Sequence, residues 1–302
     1  MNPIIRSVIG HTISLQYSSL YLVIFLQVTM KKQTHSILAL ALVFGLIFHG
    51  TSIFFTLEST YDALVHLFFA EHYSKDWFEP WDYRWYTGFT VHGYPPLVHQ
   101  SMALLSYIGG LKFGLFSMSL IIISLFITGT YRFAYVITGS KKIAGYTALL
   151  GVFSSMFLET LHLFGQLPSL MGISVLMHAM PEIYNWIKLG KVRFLISSFS
   201  LIALTVTSHH VTPIFGMVFF IFPLIGMVIM DAAKDRVKQN QKVTFKVFLK
   251  ELFKHLKRII TFGAGSLFPH RFYRHSRSHR FSYRFQNHSF PLWSEFGVSL
   301  FH

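Results

Sequence analysis

The chain has 302 residues, of which 52% are hydrophobic and 17% aromatic, whereas only 13% are charged, and its formal net charge is +14. Soluble domains are usually about one quarter charged, so this chain has too little polar surface for a water-soluble globule, and its composition indicates a membrane protein. The absence of cysteine excludes disulfides, thiolate nucleophiles and cysteine-ligated zinc or iron–sulfur sites.

The N-terminal region offers two candidate starts. Residues 1–29 contain an apolar run, 13–28, that is interrupted by several Ser and Gln residues. Met30-Lys31-Lys32 then precedes a longer apolar run, which is the pattern of a basic segment followed by a signal-anchor helix. We therefore expect Met30 to be the initiator and 1–29 to be an over-called extension. The alternative is that 13–28 is an additional span or an interfacial helix.

Apolar runs follow one another along most of residues 30–263, which we treat as one multi-span membrane domain. Runs of about 17–25 residues can cross a bilayer as helices, and the pattern predicts an all-α, polytopic integral membrane helical bundle with about 6–8 membrane helices. The predicted helices cover 37–57, 97–111, 113–138, 143–158, 167–187, 194–207 and 211–230, with another starting at Ile259.

The distribution of Lys and Arg predicts the orientation of these helices. Basic residues between membrane helices are typical of cytoplasmic loops, so we expect membrane lipids and no nucleic acid as partners. With Lys31 and Lys32 inside, residues 58–96 form one large extracytoplasmic loop. The short run 97–111 then lies at the outer face or enters it only partly, which leaves the basic segments 141–142, 188–193 and 231–258 inside. If 97–111 does span, all three of these segments lie outside.

Two segments near the C-terminus differ in character. In 231–258, apolar residues and lysines alternate at near-helical spacing, which predicts a basic amphipathic helix on the inner membrane surface. It is either a solvated connector or a site for anionic lipid headgroups. The tail 264–302 contains five Arg and no Lys, and this abrupt change predicts a frameshifted or truncated end and not a native domain.

The loop 58–96 holds six of the twelve carboxylates. Asp62 and His66 are four residues apart, so on a helix continuing from the first span they share one face and form a candidate acid–base or metal-ligand pair. The alternative is that Asp62 caps a helix and His66 satisfies a buried carbonyl. Trp77, Trp81 and Trp85 indicate either an interfacial aromatic belt or rings that stack on a sugar or cover a lipid tail.

Several of these motifs together carry a family resemblance. They are Asp62-Ala-Leu-Val-His66, Trp85-Tyr86-Thr87-Gly88-Phe89, Tyr94-Pro95-Pro96-Leu97, Gly165-Gln166-Leu167-Pro168-Ser169-Leu170, Pro181 and Ser208-His209-His210. Over about residues 33–262 the chain resembles bacterial membrane proteins labelled "6-pyruvoyl-tetrahydropterin synthase-related", and more broadly the GT-C-type membrane glycosyltransferases. The pterin name carries no chemistry here, because a soluble pterin synthase needs a three-His zinc site that this chain does not offer.

The resemblance implies a multi-pass protein of the bacterial cytoplasmic membrane that transfers a sugar from a polyprenyl-phosphate donor at the outer face. It implies that Asp62 is the base or a ligand of a divalent metal, assisted by His66, and that His209 or His210 approaches from another helix end. Substrate-binding residues would be Arg84, Trp85, Tyr94 and Gln166, with Arg84 and Lys75 as the only cations in the loop. Ala63 stands where these enzymes often have a second acid, which puts metal dependence in doubt.

Two other functions compete with glycosyl transfer. A transporter would need ionisable residues within its spans, for which Glu159, His178 and Glu182 are the candidates. A non-catalytic membrane protein or degenerate fragment would account for the discordant tail.

Overall fold

The computed structural model describes residues 37–56, 58–85, 87–237 and 244–266. The candidate extension 1–29 lies outside these ranges, and so does the discordant tail apart from residues 264–266. The described helices are α1 (Ile37–Thr56), α2 (Ala63–Lys75), α3 (Leu97–Thr138), α4 (Lys141–Val152), α5 (Ser155–Leu158), α6 (Leu167–Leu189), α7 (Val192–Ser208), α8 (Thr212–Gly216), α9 (Phe222–Val237) and α10 (Phe245–Ser266). The prediction of an all-α protein is confirmed.

Short irregular elements complete the described chain. A two-stranded antiparallel ladder pairs β1 (Trp81–Asp82) with β2 (Phe89–Thr90), and a 3₁₀ turn, Val91–Gly93, follows it. π-helical turns extend α5 (Glu159–Phe164) and join α8 to α9 (Met217–Ile221).

Three helices are long and apolar enough to cross a membrane, namely Ile37–Thr56, Leu97–Thr138 and Thr212–Asp235. The pair Lys141–Val152 and Ser155–Phe164, bent by 47°, adds a fourth if it forms one broken span. Membrane residence is thus supported by three or four spans, whereas the larger predicted number stays a prediction. The remaining helices of the bundle, α6 and α7, coincide with predicted runs, but α7 has only 17 residues.

Helix α3 consists of two arms, as the separate runs 97–111 and 113–138 predict. Gly109 and Gly110 have non-helical dihedral angles, and Gly110 has φ +83°. A Cβ atom built on Gly114 would lie 2.5 Å from the carbonyl oxygen of Met102. Twelve residues of straight helix would separate these positions by about 18 Å. The first arm therefore folds back on the second, and glycine at 114 permits the two backbones to touch.

The helices alternate in direction between two ends of the bundle. Helix α1 runs antiparallel to the second arm of α3, because Gly45 lies against Ile127 whereas Gly50 lies against Leu120. Helix α6 is central, with Leu176, Met180 and Ile183 fully buried, and it packs on both α3 and α7.

This alternation separates the charges. One end, which we call the acidic end, carries residues 58–96 together with 163–169 and 209–212. The opposite, basic end carries residues 139–142 and 188–193. Lys141, Lys142, Lys188 and Lys191 thus lie at the end opposite the acidic loop, whereas Lys112 lies at the acidic end, where it pairs with Glu58.

Two sequence-based expectations about helix boundaries are wrong. Asp62 and His66 do not lie on a continuation of α1, because α1 ends at Thr56 and Asp62 occupies the N-cap of the new helix α2. The basic amphipathic helix does not end at Arg258. Instead α10 runs from Phe245 to Ser266, because its later residues, among them Phe262, pack into the bundle beside Phe199.

Candidate functional site

The candidate site is built around the turn that leads into α2. The backbone N–H groups of Tyr61 and Asp62 donate to the carbonyl oxygens of Leu163 and Phe164, at 3.1 and 3.0 Å. The next residue, Gly165, has φ +68°, and a Cβ atom there would collide with the side chain of Thr60. The corner before α2 is therefore fastened to the segment just before α6.

Asp62 is half-buried without a partner among the described residues, whereas Asp76 of the same loop is exposed. The side chain of Asp62 does not cap α2. Among the described residues no hydrogen bond or ion pair of its carboxylate occurs, whereas Glu71 and Asp82 are bound by Arg84 and Glu58 by Lys112. Half-buried carboxylates are costly unless a partner or a function accounts for them.

His66 is buried behind Asp62, and both of its ring nitrogens are engaged. Nε2 lies 2.8 Å from the Gly165 carbonyl oxygen and Nδ1 lies 3.0 Å from Nε2 of His99. Burial lowers the pKa of His66, although the Gly165 carbonyl and the charge of Asp62 act in the opposite direction. Neutral His66 therefore donates from Nε2 to Gly165 and accepts at Nδ1 from His99, which is the buried-carbonyl role given above as the alternative.

This arrangement changes the expected role of His66. With neither nitrogen directed at Asp62, His66 does not form a hydrogen-bonded acid–base pair with it. Its imidazole instead ties α2 to Gly165 and to the first arm of α3, so His66 is a positioning residue for the Asp62 corner.

Tyr94 closes the site from the side of the Pro95-Pro96 turn. Its ring stacks on Phe69 at 5.3 Å between centroids and meets the edge of His99 at 5.3 Å. Burial raises the pKa of Tyr94, and the charge of Asp62 raises it further. The Tyr94 hydroxyl and the Asp62 carboxylate thus act on each other electrostatically, which brings together two residues that the sequence separates by 32 positions.

The predicted cation Arg84 is held by carboxylates. Its guanidinium donates to Asp82 at 2.8 Å and to Glu71 at 2.7 Å, and it lies 4.6 Å from the centre of the Phe68 ring. Trp85, the predicted stacking residue, packs edge-on against the same Phe68 ring, with 5.2 Å between the centroids. Both side chains therefore help to hold the loop on α2.

Asp82 is the centre of this attachment and is only 4% exposed. Nδ1 of His72 lies 2.8 Å from its Oδ2 atom, and Nε2 of His72 lies 2.9 Å from the carbonyl oxygen of Glu79. Since both nitrogens face acceptors, the imidazolium form of His72 is the one that donates to both. Burial by itself raises the pKa of Asp82, but hydrogen bonds from Arg84 and His72 outweigh burial and lower it to about 2.

The other predicted residues lie at the same end of the bundle. Nδ1 of His209 is 2.8 Å from the Thr212 hydroxyl, and Nε2 is 3.4 Å from the Ser169 hydroxyl, in the first turn of α6. Burial lowers the pKa of His209, and neighbouring His210 lowers it further. Gln166 is exposed at the N-cap of α6, next to Gly165. Asp62 and His209 thus flank the start of α6, without a direct contact between them.

A small cavity lies behind the corner. It is lined by His66 and His162 together with Thr56, Thr60 and Ser119, and its volume is about 20 Å³. This space suits a single water molecule and is far too small for a sugar, so a substrate must reach Asp62 from the open side.

His162 connects this cavity to a second histidine pair. Its Nε2 atom lies 2.8 Å from Nδ1 of His49, and the two rings stack. Within the described ranges there is no cluster of three or more His, Asp or Glu side chains suited to a metal ion. Asp62 as a metal ligand therefore stays a prediction.

Comparisons of the chain with protein-family models, with curated proteins and with solved structures gave no match.

Sequence reasoning missed three features of the site. His99 and the His72–Asp82 pair are as buried as the core, yet no local spacing links His99 to His66 or His72 to Asp82. His49 and His162 are 113 residues apart. The one available signal was the occurrence of histidine within otherwise apolar helices, since a polar residue at such a position needs a partner.

Proposed function

We propose that the chain is a membrane-embedded transferase in which Asp62 acts as the general base at the acidic end of the bundle, which faces the extracytoplasmic side. The reaction that fits best is transfer of a sugar from a polyprenyl-phosphate donor to a hydroxyl acceptor. The observation that carries this proposal is the half-buried Asp62 carboxylate, which has no partner among the described residues.

In the proposed step Asp62 is the base and the polyprenyl phosphate of the donor is the leaving group. Asp62 removes the proton from the acceptor hydroxyl, whose oxygen forms a bond to the anomeric carbon. The bond from that carbon to the phosphate oxygen breaks, and polyprenyl phosphate leaves with the electron pair. Tyr94 and His209, at the same end of the bundle, are candidate hydrogen-bonding residues for the acceptor or the sugar.

The common location of these residues supports the proposal. Asp62 and His66 are fixed to residues 164–165, and His209 contacts Ser169 only four positions further along. They therefore belong to one compartment in any orientation of the bundle. The basic residues gather at the other end, which by the positive-inside tendency faces the cytoplasm.

A groove beside the site supports a lipid-linked substrate. It lies between α1 and the second arm of α3, is bounded by Phe54 and Phe116 nearest the acidic end, and has a volume of about 680 Å³. Nearly all of its lining is apolar, as an isoprenoid chain requires. Glu58 and Lys112 form an ion pair at 2.6 Å; Glu58 follows Phe54 by four positions in the chain, and Lys112 precedes Phe116 by four.

The phosphate of the donor needs a cation, and Lys112 suits this role better than Arg84. The Lys112 side chain is 73% exposed and its partner Glu58 is 44% exposed, and exposed ion pairs of this kind contribute only about 0–1 kcal/mol. A phosphate can displace Glu58 at little cost. Arg84 is bound to two carboxylates, one of them buried, so its release would unfasten the loop.

The test compares Asp62→Asn with Asp76→Asn, an exposed loop acid that serves as the control. Membranes containing each full-length variant are supplied with radiolabelled polyprenyl-phosphate sugars and a hydroxyl acceptor. We expect transfer by the wild type and by Asp76→Asn, and a loss of at least about 100-fold in Asp62→Asn, since general acid–base catalysis contributes roughly 10²–10⁴-fold. Undiminished transfer by Asp62→Asn would reject the assignment.

A second candidate function, transport, is favoured by one specific cluster between α3 and α6. Arg132 donates to Glu182 at 2.5 Å and approaches Nδ1 of His178 at 2.9 Å. Ionisable residues within membrane helices usually mark ion or substrate pathways, and Pro181 adjoins Glu182. Solute uptake by proteoliposomes in the absence of any sugar transfer would favour this function over the first.

A further inference from the structure

Helix α10 is fastened to the bundle by one of its faces. His255 and Phe262 are buried on that face, at 3% and 2% exposure. Trp186 donates from Nε1 to the Arg258 carbonyl oxygen at 2.9 Å, and Arg258 donates to the carbonyl oxygens at the end of α6 at 2.8 and 3.0 Å. These contacts fix the rotation of α10 about its own axis.

A second face of α10 carries large apolar side chains that are exposed in the described part of the chain. Phe245, Phe253, Leu256 and Ile260 are 76%, 67%, 36% and 59% exposed. Their separations of eight, three and four residues place them in one row along a helix. We call this row the apolar stripe.

A row of lysines runs directly beside the apolar stripe. Lys246, Lys250 and Lys257 are exposed. Lys246 directly follows Phe245, Lys257 directly follows Leu256, and Lys250 precedes Phe253 by three positions. At about 100° per residue, this places the lysine row at one border of the apolar stripe, on the side away from His255 and Phe262.

The location of α10 identifies what these two rows face. Arg258 binds the last turn of α6, which lies at the basic end of the bundle, and α10 is not among the helices apolar enough to span a membrane. Apolar residues on one side and lysines at its border, with low overall hydropathy, are typical of helices that lie in the membrane interface. Anionic headgroups complement the lysine row in charge.

We infer that α10 lies in the membrane interface at the basic end, with its apolar stripe in the bilayer and Lys246, Lys250 and Lys257 on the headgroups of anionic phospholipids. The apolar stripe and the lysine row therefore contact the lipid surface, and this inference is independent of the proposed sugar transfer. Each basic residue near an anionic surface contributes roughly a fivefold preference for it, so three together contribute roughly 100-fold.

The absence of native cysteine makes a site-specific test direct. Phe253→Cys in the full chain is spin-labelled and reconstituted into bilayers of phosphatidylcholine with or without phosphatidylglycerol. Collision rates with oxygen and with a water-soluble nickel chelate then report the surroundings of the label. Phe54→Cys, on the exposed face of the spanning helix α1, is the lipid reference, and Tyr83→Cys, 79% exposed in the loop, is the aqueous reference.

With phosphatidylglycerol present, we expect the residue-253 label to collide with oxygen and avoid nickel, as the lipid reference does. Replacing Lys246, Lys250 and Lys257 by Gln should then lower the equilibrium ratio of interface-inserted α10 to detached α10 roughly 100-fold. In pure phosphatidylcholine the same substitutions should change this ratio little. A label that behaves like the aqueous reference in both bilayers overturns the inference. So does exclusion of both reagents, which indicates a covering protein surface, or an equal effect of the triple substitution in both bilayers.

Discussion

Replacement of Asp82 by Asn should release the loop 76–96 from α2. The carboxylate accepts hydrogen bonds from His72 and from the Arg84 backbone and guanidinium, whereas the neutral amide of Asn can accept only part of this set and repels the remaining donors. We expect local opening of the loop and not unfolding of the bundle, because Asp82 contacts only α2 and its own loop in these bonds.

The size of this effect follows from the pKa of Asp82. It is lowered from 3.8 to about 2, and at 1.36 kcal/mol per unit this is about 2 kcal/mol of stabilisation. Removing one member of a fully buried pair costs about 3–5 kcal/mol. The lower figure applies because the Arg84 side chain is 41% exposed and water can hydrate it. About 2 kcal/mol corresponds to a roughly 30-fold change in the opening equilibrium.

Hydrogen exchange with mass spectrometry measures this opening. Peptides from 78–91 should exchange roughly 30-fold faster in Asp82→Asn than in the wild type, whereas the exposed control Asp76→Asn should leave them unchanged. A change below about threefold in Asp82→Asn would refute the reasoning.

The lowered pKa of Asp82 also predicts how the opening of the loop depends on pH. Because the folded-state pKa lies below the unfolded value, the stabilisation is complete above pH 3.8 and is lost as pH falls towards 2. Pepsin should therefore cleave the wild-type loop at pH 2 but not at pH 4, and equal cleavage at both would contradict the assignment.

The remaining predictions concern packing between the helices. Gly114→Leu should lower the free energy of unfolding by about 1–3 kcal/mol, because its side chain would overlap the Met102 backbone; SDS titration in micelles measures it, and Gly226→Leu, where a Cβ atom meets nothing within 4 Å, is the control. A double-mutant cycle of Arg132→Gln and Glu182→Gln should give a coupling of about 0.5–3 kcal/mol, whereas strict additivity would show that the pair contributes nothing.

The sequence by itself determined the helical class, the membrane environment and most helix positions. These depend on the length and spacing of apolar runs, which are local properties of the chain. The division of α3 was visible in the same way, because Lys112 separates the apolar runs 97–111 and 113–138, although the break itself lies at Gly109 and Gly110. The placement of Lys141, Lys142, Lys188 and Lys191 opposite the acidic loop also followed, since each change of helix direction reverses the end at which the next loop lies.

Only the tertiary structure decided what each residue of the site does. Asp62 and Asp82 are both loop carboxylates near a histidine in sequence, yet one is free of partners among the described residues and the other accepts bonds from His72 and Arg84. His66 bonds to Gly165 and His99 and not to Asp62. Hydrogen bonds between residues about 30–100 positions apart in the sequence depend on how the helices pack. A buried polar group bonds to whichever partner the packing brings within reach.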